Sequence, residues 1–411
     1  MENKDVIIIG GGPAGLAAAV ELRALGIADI LILEREQNLG GILRQCIHDG
    51  FGLTRFRESL SGPEYAQRFI DLVEKMGIPY LTEATVIGIT GDRLVTASTR
   101  AGILEFRAGA VVLAMGCRER TRGAVGIPGN RPAGVWTAGV AQSYINLHNT
   151  MVGKEVVILG SGDIGMIMAR RFTLEGAKVK AVFEILPYPS GLPRNIRQCL
   201  EDYGIPLFLS RTVTDIKGRS RLVGVTVAET DGNMDPVPGT EKYWACDTLI
   251  LSVGLIPENE LSVMAGTVLD GRTKGPVVDE NYRTSVPGLF AAGNVLQVHD
   301  LVDFVSLEAE KLAASVARYL RGEALPDCPI QITGDASVLY AIPHKISSSA
   351  DFTLSLRVRR PFGHCEIRII QNGNVIKAVK LDKAIPAEMI RIPMKASALA
   401  GTGKLEVSVL C

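Results

Sequence analysis

Two strongly apolar segments begin the same pattern at widely separated places in the chain. Val6-Ile7-Ile8-Ile9 and Val156-Val157-Ile158-Leu159 are β-branched runs, each followed by glycines and then by an Ala- or Met-rich amphipathic stretch. Each stretch leads into a second apolar run that ends in a glutamate. Short apolar runs predict strands, and amphipathic stretches between them predict helices. The pattern therefore predicts a βαβ unit that occurs twice.

The two copies superpose when the chain is shifted along itself by 150 residues. The residues that then coincide are Gly10, Gly12, Gly15, Gly26 and Glu34 with Gly160, Gly162, Gly165, Gly176 and Glu184. In a GxGxxG turn the first glycine makes the tight turn, the second admits a pyrophosphate, and the third lets the helix pack on the strand. A carboxylate about 20 residues further on accepts hydrogen bonds from ribose hydroxyls. Two such fingerprints predict two dinucleotide sites, and hence a hydride exchanged between two nucleotides.

The pattern changes from about Pro326 onwards. Phe352, Leu354, Leu356 and Val358 alternate with polar residues, which is typical of a half-buried strand. Further strand-like runs lie at 365–370, 375–381, 388–394 and 404–410, and Asn372-Gly373 is a hairpin turn signal. We expect a small β-sandwich over residues 326–411. It carries 11 Lys or Arg against 7 Asp or Glu, a net charge of +4, so it is either a docking surface or a stabilising cap.

Composition narrows the class of protein. A length of 411 residues predicts two or three domains, and 47% hydrophobic residues are enough for a substantial core. Lys plus Arg and Asp plus Glu are both 44, so the basic surplus of a nucleic-acid-binding protein is lacking. The seven cysteines form no closely spaced pair, which predicts reduced thiols in a cytoplasmic protein and no metal site. The sequence contains no run of 18 mainly apolar residues, so we expect no membrane span.

With these motifs the chain resembles the FAD-dependent pyridine nucleotide-disulfide oxidoreductase superfamily over roughly residues 4 to 322. The segments that carry the resemblance, besides the first glycine turn, are GAVVLAMGCRER (109–120), VGIPG (125–129), VGLIPENEL (253–261) and VVDENYRTSVPGLFAAGNV (277–295). The resemblance implies an α/β fold with two Rossmann-like domains, one inserted in the other. The implied domains are 1–116 with 255–322 for FAD, 117–254 for NAD with its linker, and the C-terminal β domain 326–411.

The resemblance also implies which residues hold the cofactors. For FAD they are Gly10, Gly12, Pro13, Ala14, Gly15, Glu34, Arg35, Gly41, Ala114, Gly116, Gly293, Asn294, Val302 and Asp303. For NAD(H) they are Gly160, Gly162, Asp163, Ile164, Gly165 and Glu184. Asn294 stands where the family usually has an aspartate for the ribityl chain; its amide can still hydrogen-bond but carries no charge. Glu184 would repel a 2′-phosphate, so NAD is favoured over NADP.

Three residues are candidates for chemistry beside the flavin. The cysteine pair of the disulfide reductases is missing, so dithiol chemistry is not expected. Cys46 stands alone, with His48 two residues on, and is either a peroxidatic thiol or a packed loop cysteine. His299 is either a proton relay or a hydrogen-bonded loop histidine.

A narrower resemblance is carried by GGILRQCIHDGFGL (40–53) and GNVLQVHDLVDF (293–304). These segments resemble the flavoprotein subunit found with FAD-dependent glycerol-3-phosphate dehydrogenase and the opine oxidase and proline dehydrogenase α subunits. The implied function is hydride transfer between NAD(H) and FAD, with electrons exchanged with a partner flavoprotein dehydrogenase. The alternatives are a stand-alone NADH oxidase or peroxidase that uses Cys46, and a flavin-bearing scaffold without enzymatic activity.

Overall fold

The structure is a computed structural model that describes residues 1–411, and it divides into two compact units. The first unit is Met1–Cys117 together with Pro257–Cys411, and the second unit is Arg118–Ile256.

The N-terminal part of the first unit alternates strands and helices before it ends in a long strand. Its elements are β1 (Glu2–Ile9), α1 (Pro13–Ala24), β2 (Ile30–Leu33), β3 (Asp49–Phe51), β4 (Leu60–Ser61), α2 (Gly62–Lys75), β5 (Tyr80–Leu81), β6 (Thr85–Ile89), β7 (Leu94–Thr99) and β8 (Gly102–Leu113).

The middle of the chain repeats this alternation. Its elements are β9 (Cys117–Glu119), α3 (Arg122–Val125), β10 (Val135–Thr137), α4 (Ala138–His148), β11 (Glu155–Leu159), α5 (Asp163–Leu174), β12 (Lys178–Phe183), α6 (Pro193–Cys199), β13 (Leu207–Phe208), β14 (Arg211–Gly218), β15 (Leu222–Glu229), β16 (Lys242–Ala245), β17 (Thr248–Leu251) and β18 (Leu255–Pro257).

The C-terminal part contains two helices and then only strands. Its elements are α7 (Glu260–Met264), β19 (Leu289–Ala291), α8 (Val302–Leu320), β20 (Ile330–Gly334), β21 (Val338–Ile342), β22 (Lys345–Ile346), β23 (Phe352–Val358), β24 (Cys365–Gln371), β25 (Asn374–Leu381), β26 (Ile390–Met394) and β27 (Leu405–Leu410).

The central sheet of the first unit has the strand order β5-β2-β1-β8-β7-β6, and β19 also pairs with β8. Strands β5, β2, β1, β8 and β19 are parallel, so their carboxyl ends meet at one edge. Ile7 and Ile8 of β1 are fully buried, one on each face of the sheet. Burial on both faces explains why this strand reads as a continuous apolar run.

The second unit contains a parallel sheet of order β10-β17-β11-β12-β13 and an antiparallel sheet β14-β15-β16. Strand β11 lies between β12 and β17 as β1 lies between β2 and β8. Helix α5, at 163–174, lies 150 residues after α1, at 13–24. The predicted internal repeat and the Rossmann-like α/β fold are therefore confirmed.

The C-terminal strands form a five-stranded sheet, β22-β20-β27-β24-β25, and a three-stranded sheet, β21-β23-β26. Apolar side chains of both sheets share one core, including Ile332, Leu354, Ile367 and Val407. Asn372 and Gly373 both have positive φ, 51° and 78°, as a two-residue hairpin turn requires. The predicted all-β tail is confirmed, with eight strands instead of about five.

None of the helices combines the length and the apolar composition needed to cross a lipid bilayer.

Candidate functional site

The first glycine turn lies at the carboxyl end of β1 and tolerates only glycine at two of its positions. Gly10 has φ +110°, and a Cβ added there would lie 2.4 Å from the carbonyl oxygen of Ala114. A Cβ on Gly15 would lie 1.8 Å from the carbonyl oxygen of Gly10. Pro13 opens α1, where its missing N–H costs nothing, and Gly12 caps the helix without a side chain. The bare helix start leaves backbone N–H groups for an anionic ligand.

Glu34 follows β2 at the same sheet edge and is only 6% exposed. Its Oε2 accepts a hydrogen bond from the Gly11 N–H at 2.7 Å, and its Oε1 accepts one from the Glu36 N–H at 2.8 Å. A carboxylate has about four lone-pair sites, so each oxygen keeps roughly one site for a further donor. Two adjacent free sites match the two hydroxyls of a ribose diol. Arg35, the next residue, lies largely in solvent near Glu258.

Further segments border the same turn. Gly41 has φ +57°, and a Cβ there would lie 3.0 Å from the Cα of Gly12. Ala114 donates its N–H to the Ile9 carbonyl at 3.0 Å, and Gly116 follows with φ +73°. The structure thus brings Gly41 next to Gly12 and Ala114 next to Gly10.

Gly293 and Asn294 follow β19 and reach the same region. A Cβ on Gly293 would lie 2.9 Å from the Cβ of Ala14, at the start of α1. The Asn294 side chain is held locally, because its Oδ1 accepts from the His299 N–H at 3.0 Å and its Nδ2 donates to Cys117 Sγ at 3.6 Å. The amide therefore fastens the 294–299 segment.

His299 forms a buried pair with Glu308 of α8. The distance from His299 Nε2 to Glu308 Oε1 is 3.2 Å, and the imidazole is only 3% exposed. Glu308 also accepts from the Gly293 N–H at 2.7 Å and from the Gln297 side chain at 2.8 Å. His299 Nδ1 and Gln297 Oε1 are buried without a hydrogen-bond partner. Buried polar atoms without a partner are uncommon. The two unpartnered atoms, His299 Nδ1 and Gln297 Oε1, are therefore suited to hydrogen-bond a bound group.

Glu308 is a site residue that sequence reasoning missed. It lies on the apolar stripe of α8, between Val305 and Leu312, and is itself only 6% exposed. A carboxylate at a position where the helical period demands an apolar side chain was the available signal.

Val302 and Asp303, which the resemblance assigns to FAD, are the first two residues of α8. The Asp303 carboxylate is buried and accepts backbone N–H bonds from Gly52 at 3.0 Å, Thr54 at 3.0 Å and Arg55 at 2.6 Å. It therefore fixes the 52–55 loop against the start of the helix. Its predicted contact with the flavin stays a prediction.

Cys46 lies buried between the 3₁₀ turn Gly41–Gln45 and α2. Its thiol donates to the carbonyl oxygen of Ile42 at 3.4 Å, and burial raises the pKa of the thiol to about 12. The ring of His48 lies against Phe51, with 5.0 Å between centroids. A redox thiol acts as the thiolate, so this environment opposes the peroxidatic interpretation.

The second glycine turn, in the second unit, repeats the steric demands of the first. Gly160 has φ +97°, and a Cβ there would lie 2.0 Å from the carbonyl oxygen of Ser252. A Cβ on Gly165 would lie 2.7 Å from the Cβ of Ser252. Gly162 caps α5, which begins with Asp163 and Ile164. The backbone of this turn fits a pyrophosphate as the first turn does.

Glu184, the counterpart of Glu34, is 3% exposed and has different surroundings. Its Oε2 accepts three hydrogen bonds: from the Ser161 N–H at 2.9 Å, the Ser161 hydroxyl at 2.6 Å and the Ser190 hydroxyl at 2.8 Å. Its Oε1 accepts one, from the Leu186 N–H at 3.0 Å. Oε2 is therefore filled by groups of the chain itself, whereas Oε1 keeps about one site, so Glu184 is less open to a ribose diol than Glu34.

Two Rossmann-like sheets, each with a glycine turn and an acidic residue at the next strand end, define a dinucleotide-binding oxidoreductase. Residues 4–311 match the pyridine nucleotide-disulphide oxidoreductase family, and the chain belongs to it. The protein is an FAD-dependent NAD(P)H oxidoreductase.

Individual relatives are similar over most of the chain. The glutamate synthase [NADPH] small chain of Mycobacterium tuberculosis is 26% identical, with 81% of this chain and 70% of that protein aligned. An opine oxidase subunit of Agrobacterium tumefaciens is 28% identical over 71% of this chain and 61% of its own length. The crystal structure of thioredoxin reductase from T. acidophilum has a TM-score of 0.62 and 25% identity, over 77% of this chain and 98% of that one.

The family's cofactors are FAD and NAD(P), and the first glycine turn fits FAD. Three observations agree: the bare start of α1, the two free lone-pair sites on Glu34, and the unpartnered Nδ1 of His299. When bound, FAD supplies a ring that exchanges a hydride with nicotinamide. The residues of the chain bind and orient the cofactor.

Proposed function

We propose that this chain passes electrons between NAD(H) and its bound FAD, and exchanges them with a partner flavoprotein dehydrogenase that acts on the organic substrate. Glycerol-3-phosphate dehydrogenase is the partner we propose, on the resemblance carried by residues 40–53 and 293–304. Two relatives bear names of enzyme parts, the glutamate synthase small chain and the opine oxidase subunit, which supports a partner. We assign FAD to the first glycine turn and the nicotinamide nucleotide to the second.

The observation that carries the proposal is the buried position of Cys46, the cysteine that follows the Gly40-Gly41 turn. Cys46 is the cysteine nearest in sequence to the Gly40-Gly41 turn, and burial raises the pKa of its thiol to about 12. At neutral pH such a thiol is almost entirely protonated, so it neither attacks a disulfide nor reduces a peroxide. Electrons that reach the flavin therefore need an acceptor other than Cys46.

The residues of the first unit have defined tasks in this proposal. Glu34 holds the adenosine ribose through its two free lone-pair sites, and the start of α1 holds the pyrophosphate. Asp303 keeps the 52–55 loop in place beside α8. His299 is oriented by Glu308, so its Nδ1 is held in a fixed position to donate or accept a proton.

Contacts of the C-terminal β tail, residues 326–411, support the proposal that a partner docks on this tail. Arg357 of β23 is buried and donates to the Val298 carbonyl at 3.2 Å, and its guanidinium lies 3.7 Å from Asp300. Met389 donates its N–H to Asp300 at 3.2 Å. The tail is thus anchored on the segment that carries His299. A partner bound to this basic tail would lie next to the segment that follows the Asn294 motif.

The two alternatives receive less support. A stand-alone NADH oxidase or peroxidase that uses Cys46 requires a thiolate, and the buried thiol opposes one. A scaffold without enzymatic activity does not explain the second glycine turn or the unpartnered His299 Nδ1.

Purification of the FAD-loaded chain from its native cells under gentle conditions tests the proposal. We expect a second flavoprotein to copurify, and glycerol 3-phosphate to bleach the flavin of the complex anaerobically but not that of the isolated chain. An isolated chain that consumes O₂ or H₂O₂ with NADH at full rate, and loses this activity in Cys46→Ser, would contradict the proposal.

A further inference from the structure

Glu34 and Glu184 occupy the same position in the two copies of the repeat, and two of their hydrogen bonds are equivalent. Each accepts from the backbone N–H of the residue after the first glycine of its turn. Each also accepts from the backbone N–H two residues further along its own strand end. The two carboxylates are therefore held by the same backbone frame, and any difference between them comes from side chains.

The difference is two serine hydroxyls on Glu184 Oε2. The hydroxyls of Ser161 and Ser190 lie 2.6 Å and 2.8 Å from this oxygen, and the Ser190 N–H donates to the Ser161 hydroxyl at 2.9 Å. The corresponding positions of the first copy are Gly11 and Gly40, which have no side chain. A carboxylate oxygen offers about two lone-pair sites. Oε2 already receives three donors, so a ribose hydroxyl reaches it only by replacing one of them.

The segment that carries Ser190 is fastened onto the second glycine turn at a second point. Asp163 Oδ1 accepts from the Leu192 N–H and from the Asn195 side chain, both at 2.7 Å. A Cβ on Gly191 would lie 2.9 Å from the backbone nitrogen of Asp163, so the segment is in close contact with the start of α5. Ser190 is therefore presented to Glu184 by a fixed backbone.

We propose that Ser190, supported by Ser161, competes with the adenosine ribose of the nicotinamide nucleotide for Glu184. The proposal rests on the assignment of that nucleotide to the second glycine turn. A serine hydroxyl and a ribose hydroxyl are both alcohol donors, so one replaces the other on Oε2 without any change in charge. The ribose hydroxyl reaches Oε2 only as the Ser190 hydroxyl leaves, which weakens the binding of the nucleotide and favours its release.

The competition predicts a particular specificity. Loss of the Ser190 hydroxyl reduces the donors on Oε2 from three to two, so a ribose hydroxyl can take the vacated third position, and a hydrogen bond to a charged acceptor strengthens binding about tenfold. A 2′-phosphate removes a ribose donor and is repelled by the carboxylate, so NADPH gains nothing. The Ser190 variant is therefore expected to be more selective for NADH than the native chain.

Calorimetric titration of the full FAD-loaded chain with ADP-ribose, NADH and NADPH tests the proposal. Ser190→Ala is expected to bind ADP-ribose and NADH about tenfold more tightly than the native chain, with NADPH unchanged. Ser161→Gly copies Gly11 and is expected to act in the same direction. Ser220→Ala, an exposed serine of the same unit, is the matched control and should leave all three dissociation constants unchanged.

Dissociation constants for Ser190→Ala that are equal to or weaker than the native values would overturn the competition. If NADH bleaches the flavin of that variant but its affinity is unchanged, the competition alone fails. If neither the native chain nor Ser190→Ala binds ADP-ribose, and NADH bleaches neither flavin, the assignment of the nucleotide and the proposed function fail together. Thermal unfolding and flavin content show that each variant is folded.

Discussion

The two glycine turns of this chain share a backbone and differ in what their acidic residues can still accept. Glu34 accepts two backbone N–H groups, whereas Glu184 accepts two backbone N–H groups and two serine hydroxyls. In the proposed assignment the first carboxylate is open to the permanent cofactor, whereas Oε2 of the second is covered by two serines of its own chain. A prosthetic group must stay bound and a dissociable nucleotide must leave. The comparison thus teaches that a fingerprint indicates where a dinucleotide binds, while the neighbouring side chains set how tightly.

The largest expected effect comes from adding a Cβ at the third glycine of each turn, because the first turn is more crowded there than the second. A Cβ on Gly15 would lie 1.8 Å from the Gly10 carbonyl, whereas a Cβ on Gly165 would lie 2.8 Å from the Gly160 carbonyl. We expect Gly15→Ala to lose FAD and about 3 kcal/mol of unfolding free energy, because backbone must move. Gly165→Ala should retain FAD. Flavin content and chemical denaturation measure both, and a Gly15→Ala chain with full flavin content would refute the steric account.

The next largest effect is expected from Gly11→Ser, a substitution that gives the first turn the serine found at the equivalent position of the second turn, Ser161. Gly11→Ser places a hydroxyl beside Glu34, since a Cβ at position 11 would lie 3.1 Å from Glu34 Oε2. We expect FAD to bind about tenfold more weakly, because the ribose loses an acceptor. Reconstitution of the apoprotein, followed by flavin fluorescence, measures the affinity. Gly11→Ala adds the same Cβ without the hydroxyl, and an equal loss in both variants would show that crowding against Leu39 is the cause.

A smaller effect is expected on the stability of the first unit at acidic pH, where His344 becomes protonated. Burial lowers the pKa of His344 below its usual 6.5, and the imidazole of this tail residue accepts the Val278 N–H at 3.1 Å within the first unit. The unfolded chain therefore binds this proton first, so the stabilisation is complete above pH 6.5 and decreases as the pH falls below it.

We expect FAD retention and the unfolding free energy to decline in that acidic range, and His344→Gln to flatten the decline. His364→Gln, at an exposed histidine, is the control. A pH profile that His344→Gln leaves unchanged would assign the acid sensitivity to other groups. Calorimetric scans across the pH range give the profile.

The smallest expected effect is at Cys46. Because burial keeps this thiol protonated, Cys46→Ser should change the rate of flavin reduction by NADH by less than about twofold. Stopped-flow absorbance measures the rate. A loss of turnover with O₂ or H₂O₂ in this variant would restore the peroxidatic interpretation.

The βαβ repeat could be predicted because its signals are local. Each turn needs its own glycines, so the glycines mark its position in the sequence. Helix α5 follows α1 by 150 residues, as the second set of glycines follows the first. In the tail, the runs at 352–358, 365–371 and 374–381 also alternate locally, and the structure has strands there. Strands β20, β21 and β22 were not predicted. They are short and depend on distant partners, as in the parallel pairing of Ile332 with Leu405.

The candidate site was predictable only where the motif itself carries the chemistry. Asp303 was identified by resemblance, but the three N–H groups that it accepts lie about 250 positions away in sequence. Glu308 was hidden in an apolar helix, and Ser190 in a segment that reads as an ordinary turn. Their contacts arise from tertiary packing, which no local spacing encodes.

An anaerobic titration of the purified FAD-loaded chain with NADH tests the central claim most directly. The account predicts that NADH bleaches the flavin absorbance, that Cys46→Ser behaves like the native chain, and that Ser190→Ala reaches half of the full bleaching at a lower concentration of free NADH. A flavin that stays oxidised in excess NADH, in the native chain and in Ser190→Ala alike, would contradict it.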